Sequence, residues 1–287
     1  LFVDFVRISF LLSLLMPAII LPITKPVVEW FGAGKEISHM CFQYIIPTSC
    51  FSFFTFLFMV ICGLLQSEGH SIMFGIAQSS TLIINMILFC PLFLLVFKFG
   101  IWGASLATVI SQLIVSVILA FLIFFGKFTV KPKLNMFIKK FSIETWEALK
   151  IGIASLLTYF AASLPEILLQ KFLYTSAKHI GEYDTIVKAW GVIVKLFQLV
   201  CGTDDAIAIG FLPAASYAYG ARRYNRILRL FFHSCWIGII IAIIYTLFLI
   251  FFPRQISTIW SNDSDFLDKC QSMIPIVFFL SFLYPIQ

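Results

Sequence analysis

Apolar residues in this chain do not alternate with polar ones. They run in blocks of roughly twenty, separated by short stretches that carry most of the charge. A helix rising about 1.5 Å per residue crosses a hydrocarbon core of about 30 Å in one such block. Lipid admits only helices and closed barrels, and runs without period-two alternation select helices. Eight spans are predicted: Phe5–Ile23, Tyr44–Leu65, Ile72–Phe97, Ala104–Phe125, Ile151–Leu173, Ala189–Ala218, Leu230–Phe252 and Cys270–Gln287. The expected fold class is therefore all-α, a polytopic membrane protein. With spans running into both ends and no starting methionine, the chain reads as an excerpt of a longer protein.

One polar stretch is long enough to separate lobes, Gly126 to Lys150, with a Lys-Pro step and Phe137 and Phe141 at i, i+4. Either a short helix on the membrane surface or a solvated linker suits it. The expected organisation is an N-lobe over residues 1–126, a basic cytoplasmic linker over 127–150 and a C-lobe over 151–287. A repeat supports two lobes. "VEWFGAGKEISHMCFQYIIP", ending at Pro47, is similar to "STIWSNDSDFLDKCQSMIP", ending at Pro275. Each has an aromatic after a span, then small residues and acids, a cysteine, and an Ile-Pro opening the next span. The offset of about 229 residues implies six spans per half, a parallel 6+6 repeat of pseudo-symmetric lobes in the parent, with about eight helices here.

Within the greasy background, "GIWGASLATVISQ" (Gly100 to Gln112) collects small side chains. Gly103, Ala107 and Ser111 recur at i, i+4, i+8, beside a row of Gly100, Ala104 and Thr108. The pattern predicts a flat helix face for close packing rather than a ligand loop.

Composition sharpens this. The chain is 61% hydrophobic and 12% charged, with mean hydropathy +1.00, against about a quarter charged in soluble domains. The loops holding Arg7, Lys127–Lys150 and the arginines at 222, 223, 226 and 229 carry eleven Lys or Arg. The opposite side carries eight, so the first set is expected in the cytoplasm. The net charge of +6 sits beside spans, so no nucleic-acid partner is expected; the lipid bilayer and a small organic substrate are, with a monomer as the oligomeric state. The seven cysteines are scattered and form no disulfide framework or CxxC pair. There is no GxxxxGK[ST] and no HExxH, so neither a P-loop for ATP nor a zinc-protease helix is read. Asn262-Asp-Ser is a formal glycosylation sequon on the outer side.

An acid inside the membrane is costly and implies a compensating role. Asp204 and Asp205, in "VCGTDDAIAIGFLP", fall near the middle of the sixth span between Gly202 and Gly210. They are the first candidates for binding a coupling ion, with Gly202, Gly210 and Pro213 expected to open the helix. Adjacent helical positions diverge by about 100°, so one acid faces a given cavity unless the helix breaks. Capping a shorter helix is the structural alternative. Glu166, after Pro165, is a further ion-coupling candidate or the partner of Lys195 in a buried pair. Asn85, Gln78, Gln112, Gln198 and Lys195 are candidates for lining a substrate cavity. Interhelical hydrogen bonding is the commoner role for the uncharged ones. "CFSFFTFLF", Cys50 to Phe58, suits stacking on an aromatic cation, or packing and lipid contact. No His/Asp, Ser or Cys constellation suggests an enzyme.

These features resemble the MATE family, the multidrug and toxin extrusion transporters. Asn85, Pro91 six residues on and the "GIWGASLATVISQ" run are similar to its fifth and sixth helices. "GFLPAASYAYGARRYNRILRL", from Gly210, is similar to the end of its eighth. The paired "WFG…YIIP" and "IWSND…MIP" loops are similar to those after its third and ninth. The resemblance runs from the third helix into the tenth. It implies two six-helix lobes in a V around a central cavity in the plasma membrane. It also implies antiport efflux of organic, often cationic, compounds by alternating access, with H⁺ or Na⁺ as the coupling ion and no other cofactor. Many members place an acid in the seventh helix where this chain has Ala162, with Glu166 one turn further. A lipid-linked saccharide flippase of the same superfamily is the alternative within the class, and a membrane receptor or enzyme the alternative outside it.

Overall fold

The computed structural model describes residues 1–31, 34–126, 128, 137 and 140–286. The described residues form helices and turns, with no strand among them. In chain order the helices are α1 (Phe2–Trp30), α2 (Lys35–Cys50), α3 (Ser52–Ser67), α4 (Ser71–Ile83), α5 (Gly100–Phe124), α6 (Ile143–Ile180), α7 (Tyr183–Gly220), α8 (Tyr224–Phe251), α9 (Pro253–Ser257) and α10 (Ser264–Phe278). Two π-helical stretches, Ile84–Phe89 and Leu92–Val96, extend α4, and a 3₁₀ stretch, Ser281–Ile286, follows α10.

Six of these elements are long and apolar enough to cross a membrane, or seven if α2 and α3 count as one bent span. The predicted span Tyr44–Leu65 is thus two helices meeting at 56° around Phe51. The predicted span Ala189–Ala218 is the middle of α7, which carries Lys188, Lys195, Asp204 and Asp205 and stands outside that count. The chain is an integral, multi-pass membrane protein.

Contacts divide it into two compact units, Leu1–Leu169 and Gln170–Gln287, with the division inside α6. The expected linker over 127–150 is described only at 128, 137 and from 140 onward, so the surface helix proposed there lies largely outside the described residues.

In the first unit, Phe58, Ile61, Cys62 and Leu65 of α3 pack with Val115, Leu119 and Ile123 of α5. Gly103, Ala107 and Ser111 are buried along one face of α5. A Cβ on Gly103 would stand 2.9 Å from the Phe99 Cβ and 3.1 Å from the Phe93 Cβ, so the close approach requires glycine. Pro17, Pro22 and Pro26 leave α1 helical through to Trp30, as membrane helices tolerate where neighbours take up the freed carbonyls. Pro17 has no N–H for the carbonyl of Ser13, and the Ser52 hydroxyl donates to that carbonyl at 3.4 Å. Thr24, in the same helix, bonds back to the Ile20 carbonyl at 2.7 Å.

In the second unit, Phe266, Cys270, Ile274 and Phe278 make one buried stripe on α10, at a spacing of four. It faces Ala189, Ile193, Leu196 and Val200 of α7. The two repeat segments fall one in each unit. Ser52 and Ser281, also about 229 residues apart, each open the segment after a helix break. Ser52 bonds to α1, while the Ser281 hydroxyl pairs with Thr246 of α8 at 2.7 Å.

Candidate functional site

Phe197, Cys201 and Asp204 stand at i, i+4 and i+7 on α7, one face of the helix. That face meets the 3₁₀ stretch after α10. The Phe197 ring lies 6.1 Å from that of Tyr284. From the other side comes Gly238 of α8. A Cβ there would stand 2.8 Å from the Pro285 Cβ and 3.7 Å from Asp204 Oδ1. Glycine therefore lets α8 approach the proline and the carboxyl together. Asp204 Oδ2 is buried and makes no hydrogen bond among the described residues. A carboxyl oxygen in that position can accept a proton without breaking an existing bond.

Asp205, the next residue, is exposed. α7 runs unbroken through Gly202, Gly210 and Pro213, which corrects the expectation that these residues open it. Glycine and proline are common in membrane helices and break them only when nothing compensates. Consequently the α7 backbone carbonyls around Asp204 remain in their helix and do not form a cage for a cation. Among the described residues no group of three or more His, Cys, Asp or Glu side chains could hold a metal ion.

Two of the uncharged polar candidates in the first unit, Asn85 and Gln112, act between helices. Asn85 Nδ2 donates to Thr108 Oγ1 at 2.9 Å, and Thr55 donates to Gln112 Oε1 at 2.7 Å. Asn85 sits in the first π-helical stretch, where a wider turn shifts the register of the side chains. Gln78 is half-buried on α4 and Gln198 exposed on α7. Glu166 is exposed on α6 in the first unit and Lys195 is exposed on α7 in the second. In the Phe-rich stretch, Phe58 is buried and Phe53 packs edge-on against Phe10 at 5.7 Å.

One acid escaped the sequence reading. Asp4, at the start of α1, is buried, and its Oδ2 accepts from the Ser142 N–H at 3.1 Å and the Thr145 hydroxyl at 2.9 Å. Arg7 approaches Oδ1 at 3.6 Å and stacks its guanidinium 4.3 Å above the Phe141 ring. The one local signal was an arginine one turn after the acid; the other partners lie some 140 residues away.

Residues 184–287 match the family model MatE. Over 283 residues the chain is 21% identical to the probable multidrug resistance protein YoeA of Bacillus subtilis (strain 168), covering 96% of this chain and 59% of that protein. It overlays on the outward-facing conformation of a multidrug resistance MATE family transporter of the MOP superfamily with a TM-score of 0.81 at 20% identity, covering 99% of this chain and 62% of the other. On an inward-facing conformation the score is 0.72 at 21% identity, covering 98% and 63%. A MOP superfamily transporter from Pyrococcus furiosus, whose binding pocket is described as reversed in polarity, overlays at 0.79 with 21% identity, covering 98% and 61%. The chain spans about 60% of the length of these relatives. The resemblance read from its motifs is confirmed, and its fold is that of the MATE transporters.

Proposed function

We propose that this chain, folded as the MATE transporters are, forms part of a secondary transporter. It would export small organic compounds in exchange for protons, with Asp204 carrying the proton. Relatives described as multidrug resistance proteins support the transport class. The observation that carries the assignment is the buried Oδ2 of Asp204, without a hydrogen-bond partner among the described residues, on a carboxyl whose other oxygen faces Gly238 of α8. A charged group placed without a partner inside a membrane costs roughly 2.5–3.5 kcal/mol, which a structural role does not recover. Protonation removes that cost, so the stability of any state that shields Asp204 depends on whether the proton is present. A proton couples to transport only if its affinity differs between inward-open and outward-open states.

A proton is favoured over sodium because one carboxyl oxygen and an intact helix supply too few oxygen ligands for a metal cation. The test is efflux of a fluorescent organic cation from proteoliposomes under an imposed proton gradient, an imposed sodium gradient, and neither. The expected result is proton-driven efflux in the wild type and in Asp205→Asn, lost in Asp204→Asn. Full proton-driven efflux by Asp204→Asn overturns the residue assignment. Efflux driven by sodium alone overturns the choice of ion.

A further inference from the structure

We propose that the turn between α7 and α8 holds the phosphate of an anionic phospholipid. Arg222, Arg223, Tyr224, Asn225, Arg226 and Arg229 line an open concavity of about 660 Å³ there. All four arginines are exposed, and none takes part in an ion pair among the described residues. The four guanidiniums line one concavity and concentrate positive charge there, which an anion from outside the chain would neutralise. Guanidinium forks match phosphate oxygens in pairs, where a lysine would offer only a point charge.

The backbone is shaped for the same ligand. Arg222 sits in the left-handed region at φ 54°, a conformation that a side chain other than glycine or asparagine adopts at a cost. The turn is closed by the N–H of Arg222 on the Tyr219 carbonyl at 2.9 Å and that of Arg223 on the Ala218 carbonyl at 2.8 Å. The strained residue thereby brings the end of α7 and the start of α8 into one cradle. No side chain caps the first turn of α8, which begins among the residues lining the concavity and carries the positive end of the helix dipole.

Depth identifies the phosphate as a lipid's. The apolar run of α8 begins at Leu230, one residue after Arg229. At about 1.5 Å per residue, Arg229 back to Arg223 climb some 9 Å outward from that edge, enough to cross a headgroup layer of about 5–8 Å. Tyr219 and Tyr224, exposed and packed edge-on at 6.1 Å, mark the same level, where tyrosine is enriched in membrane proteins. Basic clusters directly beside a span bind anionic lipid for this reason.

The experiment reconstitutes the protein in phosphatidylcholine nanodiscs with and without phosphatidylglycerol, and counts lipids retained after detergent extraction by native mass spectrometry. The wild type should retain phosphatidylglycerol selectively. Each Arg→Gln change at 222, 226 and 229 should lower that preference about fivefold. The triple Arg→Lys variant should keep part of it. Should the triple Gln variant fail to fold, the single Arg226→Gln supplies the reading. An unchanged preference in the Gln variants overturns the proposal. In a parallel arm, inorganic phosphate or glycerol phosphate should compete only weakly. Equal binding of free phosphate and phosphatidylglycerol would make this a site for soluble phosphate and overturn the lipid assignment.

Discussion

Asp4, buried whole, and Asp204, half-buried with one oxygen out of solvent, are the same side chain in surroundings that treat them in opposite ways. Asp4 is met by a backbone N–H, a hydroxyl and a guanidinium. Asp204 faces Gly238 of α8 with one oxygen, and the other has no hydrogen-bond partner among the described residues. Burial alone therefore does not identify a working carboxylate. A satisfied buried acid holds elements together, and an unsatisfied one has a cost that some step of function must relieve.

Substitutions at the two sites should separate these roles. The largest effect is expected from Asp204→Asn, which should reduce gradient-driven efflux to the level of protein-free liposomes, while Asp4→Asn leaves the driven component in place. The reverse ranking would break the comparison. Next comes stability: Asp4→Ala strands the Ser142 N–H and the Thr145 hydroxyl and should cost about 1–3 kcal/mol in thermal unfolding, whereas Asp204→Asn should cost little. Overpacking is the third measure. Gly103→Ala must move Phe99 or Phe93, and Gly238→Ala must move Pro285, each at about 1–3 kcal/mol. Gly63→Ala, with nothing within 4 Å of the new methyl, is the neutral control. Gly238→Ala should also impair efflux, since Asp204 borders the same space, and Gly103→Ala should not. The smallest effects belong to the repeat-related serines. Ser52→Ala and Ser281→Ala each remove one interhelical bond, worth about 0.6 kcal/mol inside a membrane.

Apolar block length made the membrane class and most helices legible, because a block of that length has one low-cost conformation in lipid. Small-residue spacing located the packed face of α5, where a side chain at Gly103 would have to displace Phe99 or Phe93. The break at Phe51 was not legible, since Tyr44–Leu65 reads as one apolar block in spite of Pro47, Thr48, Ser49 and Ser52, and the bend lies where Ser52 reaches across to the Ser13 carbonyl. Gly202 and Gly210 misled in the other direction, for glycine permits a break without requiring one. At the candidate site, Asp204 stood out by its rarity at mid-span. Its partners Gly238 and Pro285 did not, because both come from chain more than thirty residues away. Asp4 was missed for the same reason.

The central claim is that Asp204 exchanges its proton against substrate. It can be measured by adding a transported organic cation to the purified protein in weakly buffered detergent solution and following pH. The wild type and Asp4→Asn should release protons on binding, and Asp204→Asn should bind the compound and release none. Undiminished release from Asp204→Asn would contradict the account.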